Sequence, residues 1–189
     1  MTALAALHAR LFCALETRVE PLLMPALARL VFAGTLLIYF WNSGLTKLGE
    51  GLAGLFAPSF NAYVQILPRM SEAVGYDASQ IPAFWRLVVL FGTWAEFILP
   101  ALLLLGLLTR LAALGMIGFV LVQSYVDIVG HHADPTTIGA WFDAGSGSLI
   151  LDQRAFWVFL LLYLVLRGAG PLSLDAILSR RQRPQLSAA

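Results

Sequence analysis

Cysteine and charge are what this sequence has least of. A single cysteine, Cys13, stands among 189 residues. One thiol excludes an intramolecular disulfide and a C-x-x-C pair, so the chain is not expected to relay electrons through thiols of its own. Charged residues make up 12%, about half of the ~25% usual in soluble domains. The net charge is +1, so no basic excess points to nucleic acid as a partner. Lysine is nearly missing: Lys47 is the sole lysine among 12 cations, and the rest are arginine. That usage, with abundant Ala and Leu, fits a GC-rich bacterial genome. Haem-attachment, flavin and iron–sulfur motifs are also missing, as is any internal repeat.

What remains is apolar. Hydrophobic residues reach 59% and the mean hydropathy is +0.80, which is the composition of an integral membrane protein. A span needs about 20 mostly apolar residues. Residues 25–44, 84–108 and 111–129 satisfy this, and a shorter run centred on 155–166 does so with its flanks, Arg154 and Arg167 reaching back to the interfaces. The fold class is therefore all-α, a bundle of four transmembrane helices. A tight turn at Thr109-Arg110 would join the second and third spans as a hairpin. Within the long loop 45–83, "PSFNAYVQILP" reads as a short interfacial helix.

Residues 1–20 lack the cationic start, clean apolar core and cleavage site of a signal peptide. Leu4, Leu7, Leu11, Leu15 and Val19 recur at helical spacing among polar residues. This predicts an amphipathic helix on the membrane surface, ended by Pro21 and Pro25. Residues 25–178 form the membrane domain, and 179–189 read as a disordered cytoplasmic tail. With both termini inside, Arg10, Arg18, Arg29, Arg110, Arg167, Arg180, Arg181 and Arg183 face the cytoplasm. Lys47, Arg69, Arg86 and Arg154 then lie outside, and eight against four favours cytoplasmic termini in a bacterial inner membrane. Trp41, Trp85, Trp141 and Trp157 fall near outer span ends, as an aromatic belt would.

One stretch carries most of the chemistry: "GTWAEFILPALLLLGLL", residues 92–108. Glu96 lies about 12 residues into the second span, roughly 18 Å deep by helical rise. An ionised acid there costs about 2.5 kcal/mol or more, so it should face the bundle interior and find a partner or stay protonated. Pro100 has no N–H, which deprives the Glu96 carbonyl of its helical partner. This combination suits a polar pocket, a proton relay or a head-group site; a structural hydrogen bond between spans is the simpler alternative.

Other polar groups gather at the outer level. Gln123, Asp127 and His131 are four apart and line one helix face. Asp127 and His131 have a spacing that lets two ligands share a metal, but no H-E-x-x-H and no cysteine pair accompany them. No metal is expected, and the stripe reads as a pocket lining or as a helix end emerging into water. In "NSGLTKLGE", Asn42 and Lys47 mark the outer end of the first span, and Gly44 permits close helix approach. Lys47 is able to neutralise a buried acid or to hold an anionic or quinone-carbonyl group; an interface lysine is the alternative. Arg86 opens the second span, where an interface cation is the plainer reading. The candidate pocket residues are thus Glu96, Lys47, Asp127, Gln123, His131, Asn42 and Arg86. The inner half of the bundle reads as nearly featureless.

Three stretches in order resemble the DoxX family of small bacterial membrane proteins. They are "RLVFAGTLLIYFWNSGLTKL", "WAEFILPALLLLGLLTRLAAL" and "GAGPLSLDAIL", and the resemblance runs from about Arg29 to Leu178. The matching positions are Arg29, Gly44, Lys47, Glu96 and Arg110, then Gly168, Gly170, Ser173 and Asp175. The last group reads as a helix end and turn, with Ser173 and Asp175 as capping residues. The resemblance implies a four-helix membrane bundle linked to membrane oxidoreductases. On that basis the chain is expected to be an accessory or quinone-interacting subunit with a pocket open to the periplasmic side. Its cofactor would be a bound quinone, and its partners membrane lipid, a redox or maturation protein, or further copies of itself. A small-molecule carrier and a non-catalytic assembly or anchoring subunit are the alternatives.

Overall fold

In a bilayer every backbone polar group must be satisfied within the protein, which leaves an apolar chain of this length the helix as its spanning form. The computed structural model describes residues 3–186. The chain runs through α1 (Ala3–Leu45), α2 (Phe60–Ile66), α3 (Pro68–Ala73), α4 (Ala83–Leu105), α5 (Thr109–Gly130), α6 (Pro135–Ile138), α7 (Leu149–Arg167) and α8 (Leu174–Leu186). Among the described residues no strand occurs. Helices α1, α4, α5 and α7 are long and apolar enough to cross a membrane. The protein is an all-α, multi-pass membrane bundle.

Helix α1 packs on α4 and α7, and α5 packs on the same two, so the four spans close into a ring. Its centre is filled by Phe32 and Phe40 from α1, Leu103 from α4, Met116 and Val120 from α5, and Leu161 and Leu164 from α7. Lipid tails are as apolar as these side chains, so close packing rather than escape from water must hold the ring together. Gly44 shows how: a Cβ there would stand 2.6 Å from the Phe97 ring, so the glycine lets α1 approach α4.

Three sequence expectations are corrected. Pro21 and Pro25 do not end the first helix; α1 runs for 43 residues, about 65 Å at helical rise. A π-helical turn at Leu15–Val19 directly precedes Pro21, and Pro25 lies inside the same helix; a proline gives up its own backbone hydrogen bond and can bend a helix without stopping it. The hairpin turn lies at Gly106–Leu108 rather than at Thr109-Arg110, because Thr109 already begins α5. The fourth span does draw on its flank, through a π turn at Leu149–Gln153. Residues up to Leu186 continue as α8 in place of a disordered tail, and residues 187–189 lie outside the described residues.

The bundle end that holds the α4–α5 turn is also far from featureless. Helix α4 stops at Gly106, whose φ of +65° permits the left-handed cap. The last carbonyls of a helix have no partner of their own and carry its negative dipole. Arg29 supplies both needs: it donates to the Leu103 and Leu104 carbonyls at 3.0 and 2.6 Å, and to Ala169 and Leu172 beyond α7 at 3.3 and 2.7 Å. A side chain at Gly106 would collide with this guanidinium, 2.7 Å from its Cζ. Leu108 takes a φ of +49°, a left-handed conformation that costs a non-glycine residue about 1–2 kcal/mol. Asp175 holds it there, accepting from the Leu108 and Thr109 N–H groups at 2.8 and 3.0 Å. Asp175 thus caps α5 rather than its own helix, and Ser173 caps α8 through Ala176 N–H at 3.2 Å. Arg29→Ala is expected to lower stability by about 3 kcal/mol or more, read by thermal unfolding in detergent, and Arg29→Lys to recover only part of it because an ammonium cannot fork across four carbonyls.

Candidate functional site

The loop between α1 and α4 determines what happens at the opposite end. It folds back instead of spreading into solvent. The Ser59 N–H donates to the Lys47 carbonyl at 2.9 Å, and Asn61 and Gln65 donate to Thr46. Ala62 and Tyr63 of α2 bury against Ile81 and Val89 in a second small core. Helix α2 is thereby laid across the mouth of the bundle, with Gln65 and Ile66 pointing into it.

Beneath this cap lies a cavity of about 400 Å³ between α4 and α5, roofed by α2. Its floor space exists because Gly92, Ala95, Gly115 and Gly118 offer almost no side chain where the two spans face each other. On one wall stand Lys47 and Glu96, each 4% exposed. The Lys47 Nζ lies 3.0 Å from Glu96 Oε1 and 3.2 Å from Oε2, and also donates to the Ser43 hydroxyl at 2.7 Å and the Ser43 carbonyl at 3.1 Å. A buried charge must be paired and hydrogen-bonded to be tolerated, and each partner here supplies what the other needs. One residue beyond Glu96, the Phe97 carbonyl accepts from the Trp41 indole at 3.2 Å, which ties α1 to α4 next to the proline-weakened turn.

The facing wall carries a second ion pair. Asp127 Oδ2 accepts from Arg154 at 2.6 Å, and the same guanidinium donates to Ser124 at 3.0 Å and lies 5.9 Å from the Trp157 ring centroid. Arg154 was expected to reach the interface; it is 3% exposed instead. Its carboxylate and aromatic partners at one depth offset the cost that would otherwise drive it out. Gln123 donates to the Tyr39 hydroxyl at 2.9 Å, and its buried Oε1 has no partner. His131 reaches the Gln65 carbonyl at 3.0 Å across the mouth. A carbonyl only accepts, so the imidazole donates through Nε2.

Glu96, Lys47, Asp127, Gln123 and His131 therefore line a single cavity. Asn42 and Arg86 do not: both side chains are exposed and neither borders the space. Asn42 sits on the outward face of α1, and Arg86 lies in the first turn of α4, above the cavity. Sequence reading missed Arg154, Ser124 and Tyr39 as members of the site. One signal was available for Arg154. An acid at the depth of Asp127 demands a cation, and Arg154 opens the fourth span, which the same reading places on the outer side. Asp134 is occupied elsewhere, as cap of α6. The Thr136 and Thr137 hydroxyls and their N–H groups hold its carboxyl well below the usual carboxylate range. Among the described residues no group of three or more His, Cys, Asp or Glu side chains is placed to hold a metal ion.

Comparison with known proteins bears on the same residues. A family model, DoxX, matches residues 24–126, more than half of the chain. No curated protein and no solved structure matches it. The matched segment contains Lys47, Glu96 and Gln123, and ends one residue before Asp127.

The pair itself makes a stability prediction. Glu96→Ala leaves the Lys47 ammonium buried and alone, with an expected cost of about 3–5 kcal/mol in detergent unfolding. The double variant Lys47→Met/Glu96→Leu is expected to recover most of that loss, since an apolar pair of similar volume is tolerated where half an ion pair is not.

Proposed function

The chain belongs to the DoxX family, and from that premise we propose that it is an accessory, quinone-interacting subunit of a membrane oxidoreductase system. The observation that carries this reading is the cavity beside the Lys47–Glu96 pair. A space of about 400 Å³ falls within the range of small-molecule sites, which are mostly apolar with a few convergent polar groups. Its walls follow that pattern: Leu99, Phe119 and Val122 surround the ion pair and Gln123. A planar ring with polar substituents fits such a space, and its hydrocarbon substituents fit the surroundings. The chemistry of electron transfer would belong to the bound ring and to a partner protein, and this chain's role is to hold and orient the ring.

The excess of arginine at the end that carries the termini supports a bacterial inner-membrane location with both termini in the cytoplasm. The cavity would then open to the periplasmic side. The stripe of Leu4, Leu7, Leu11, Leu15 and Val19, exposed along its whole length, supports a surface position for the first helical segment, with the π turn and Pro21 as the bend. Membrane lipid, a redox or maturation partner and further copies of this chain are the partners this reading entails, and nucleic acid is not one of them.

Organic extraction of the purified protein followed by mass spectrometry tests the reading. A quinone is expected in amounts near one per chain, and Glu96→Gln is expected to reduce its retention by ~tenfold, the scale of one lost charged hydrogen bond in a desolvated site. Recovery of lipid alone, at the same level from parent and variant, would remove the quinone. Flux of a small solute in liposomes with no bound ring would favour the carrier.

A further inference from the structure

The cavity's hydrogen-bonding inventory is lopsided. An ammonium has three donors, and those of Lys47 are committed to the Ser43 hydroxyl, the Ser43 carbonyl and Glu96. What the walls still offer a ligand is mainly acceptors. Both Glu96 oxygens keep lone pairs beyond those facing Lys47. Asp127 gives Oδ2 to Arg154 and keeps Oδ1. Gln123 Oε1 is buried without a partner. A head group made only of carbonyl oxygens would set acceptor against acceptor at each of these points. A head bearing hydroxyl hydrogens would satisfy them, two through charge-assisted bonds to carboxylates.

A second cavity adjoins the first. It measures about 300 Å³ and shares Ile66, Val88, Val122 and Val126 with its neighbour. Leu67, Met70, Trp85 and Val129 continue its walls, and Arg69, Tyr125 and the Trp85 indole bring its polar side-chain groups. The four shared side chains form a common wall between the two spaces. The second, mostly apolar chamber lies between α3, α4 and α5, on the side of the loop cap.

We propose that the two chambers form one bipartite site for an amphiphile. Its head is a hydrogen-bond-donating ring, a hydroquinone by chemical class, placed among Glu96, Gln123 and Asp127, and its hydrocarbon tail lies in the apolar chamber behind Val126. The proposal rests on the quinone-interacting reading above and adds which redox form is held and where its tail runs. A site of unsatisfied acceptors rejects an analogue that lacks the donor, because its own polar groups are then left buried and unpaired.

The test is isothermal titration of the full chain in detergent under argon with three probes: a hydroquinone carrying a ten-carbon tail, the benzoquinone with the same tail, and the tail-less hydroquinone. The tailed hydroquinone is expected to bind at least ~tenfold tighter than its oxidised partner. It is also expected to bind at least ~tenfold tighter than the tail-less form, since each buried CH2 is worth a fraction of that factor. Val129→Phe, at a residue that borders the apolar chamber and not the polar one, should abolish the advantage of the tail and leave tail-less binding unchanged. A benzoquinone that binds as well as or better than the hydroquinone overturns the proposal and leaves the quinone-interacting function standing. Equal binding with and without the tail overturns the bipartite site. Binding of none of the three overturns both readings together.

Discussion

A carboxylate at the middle of a bilayer has few places to go, and the loop end of this molecule is arranged around that fact. Glu96 turns inward to Lys47, and Lys47 reaches it from just beyond the end of α1, because Gly44 lets α1 close on α4. The lysine then needs its remaining donors met, which Ser43 does one helical turn earlier. Its backbone carbonyl is met by Ser59, which starts the return of the loop over the bundle. One buried charge thus sets the packing of two spans and the course of the loop that caps them. The cavity is what remains when small residues on α4 and α5 decline to fill the space beside the pair.

The two ends of the bundle solve different problems with the same chemistry. At the turn end, Arg29 and Asp175 meet backbone groups that helix termini leave open, while the Thr109 hydroxyl is buried without a partner. These charges hold the α4–α5 hairpin to the start of α8. At the loop end, the ion pairs meet each other and leave acceptors directed at an empty space. The buried, unpartnered Gln123 oxygen beside two ion pairs and a cavity is what supports reading the loop end as a binding site.

Much of this was legible in the residues. The number and order of spans follow from apolar run length alone, and the acid in "GTWAEFILP" had to face inward because lipid offers it nothing. The i, i+4 stripe of Gln123, Asp127 and His131 correctly placed three side chains on one face. Other features depended on tertiary geometry. The π turn before Pro21 is a local backbone adjustment with no composition of its own, so two prolines looked like a stop. Arg154 looked like an interface residue because its partners, Asp127 and Trp157, lie far away in sequence or a turn later in the same helix. Asn42 shares the depth of the site but not its azimuth, while Arg86 stands a level above it, and hydropathy fixes depth far better than it fixes rotation about a helix axis.

The chain's one lysine allows the central claim to be measured in isolation. Lysine labelled with nitrogen-15 at Nζ gives a side-chain signal from Lys47 alone in solid-state NMR of the protein in bilayers. The account predicts a strong dipolar contact between that nitrogen and a glutamate carboxyl carbon, matching the 3.0 Å approach to Glu96, and its loss in Glu96→Gln. A mobile, water-exchanging ammonium signal with no carboxyl contact, unchanged by that substitution, would contradict it.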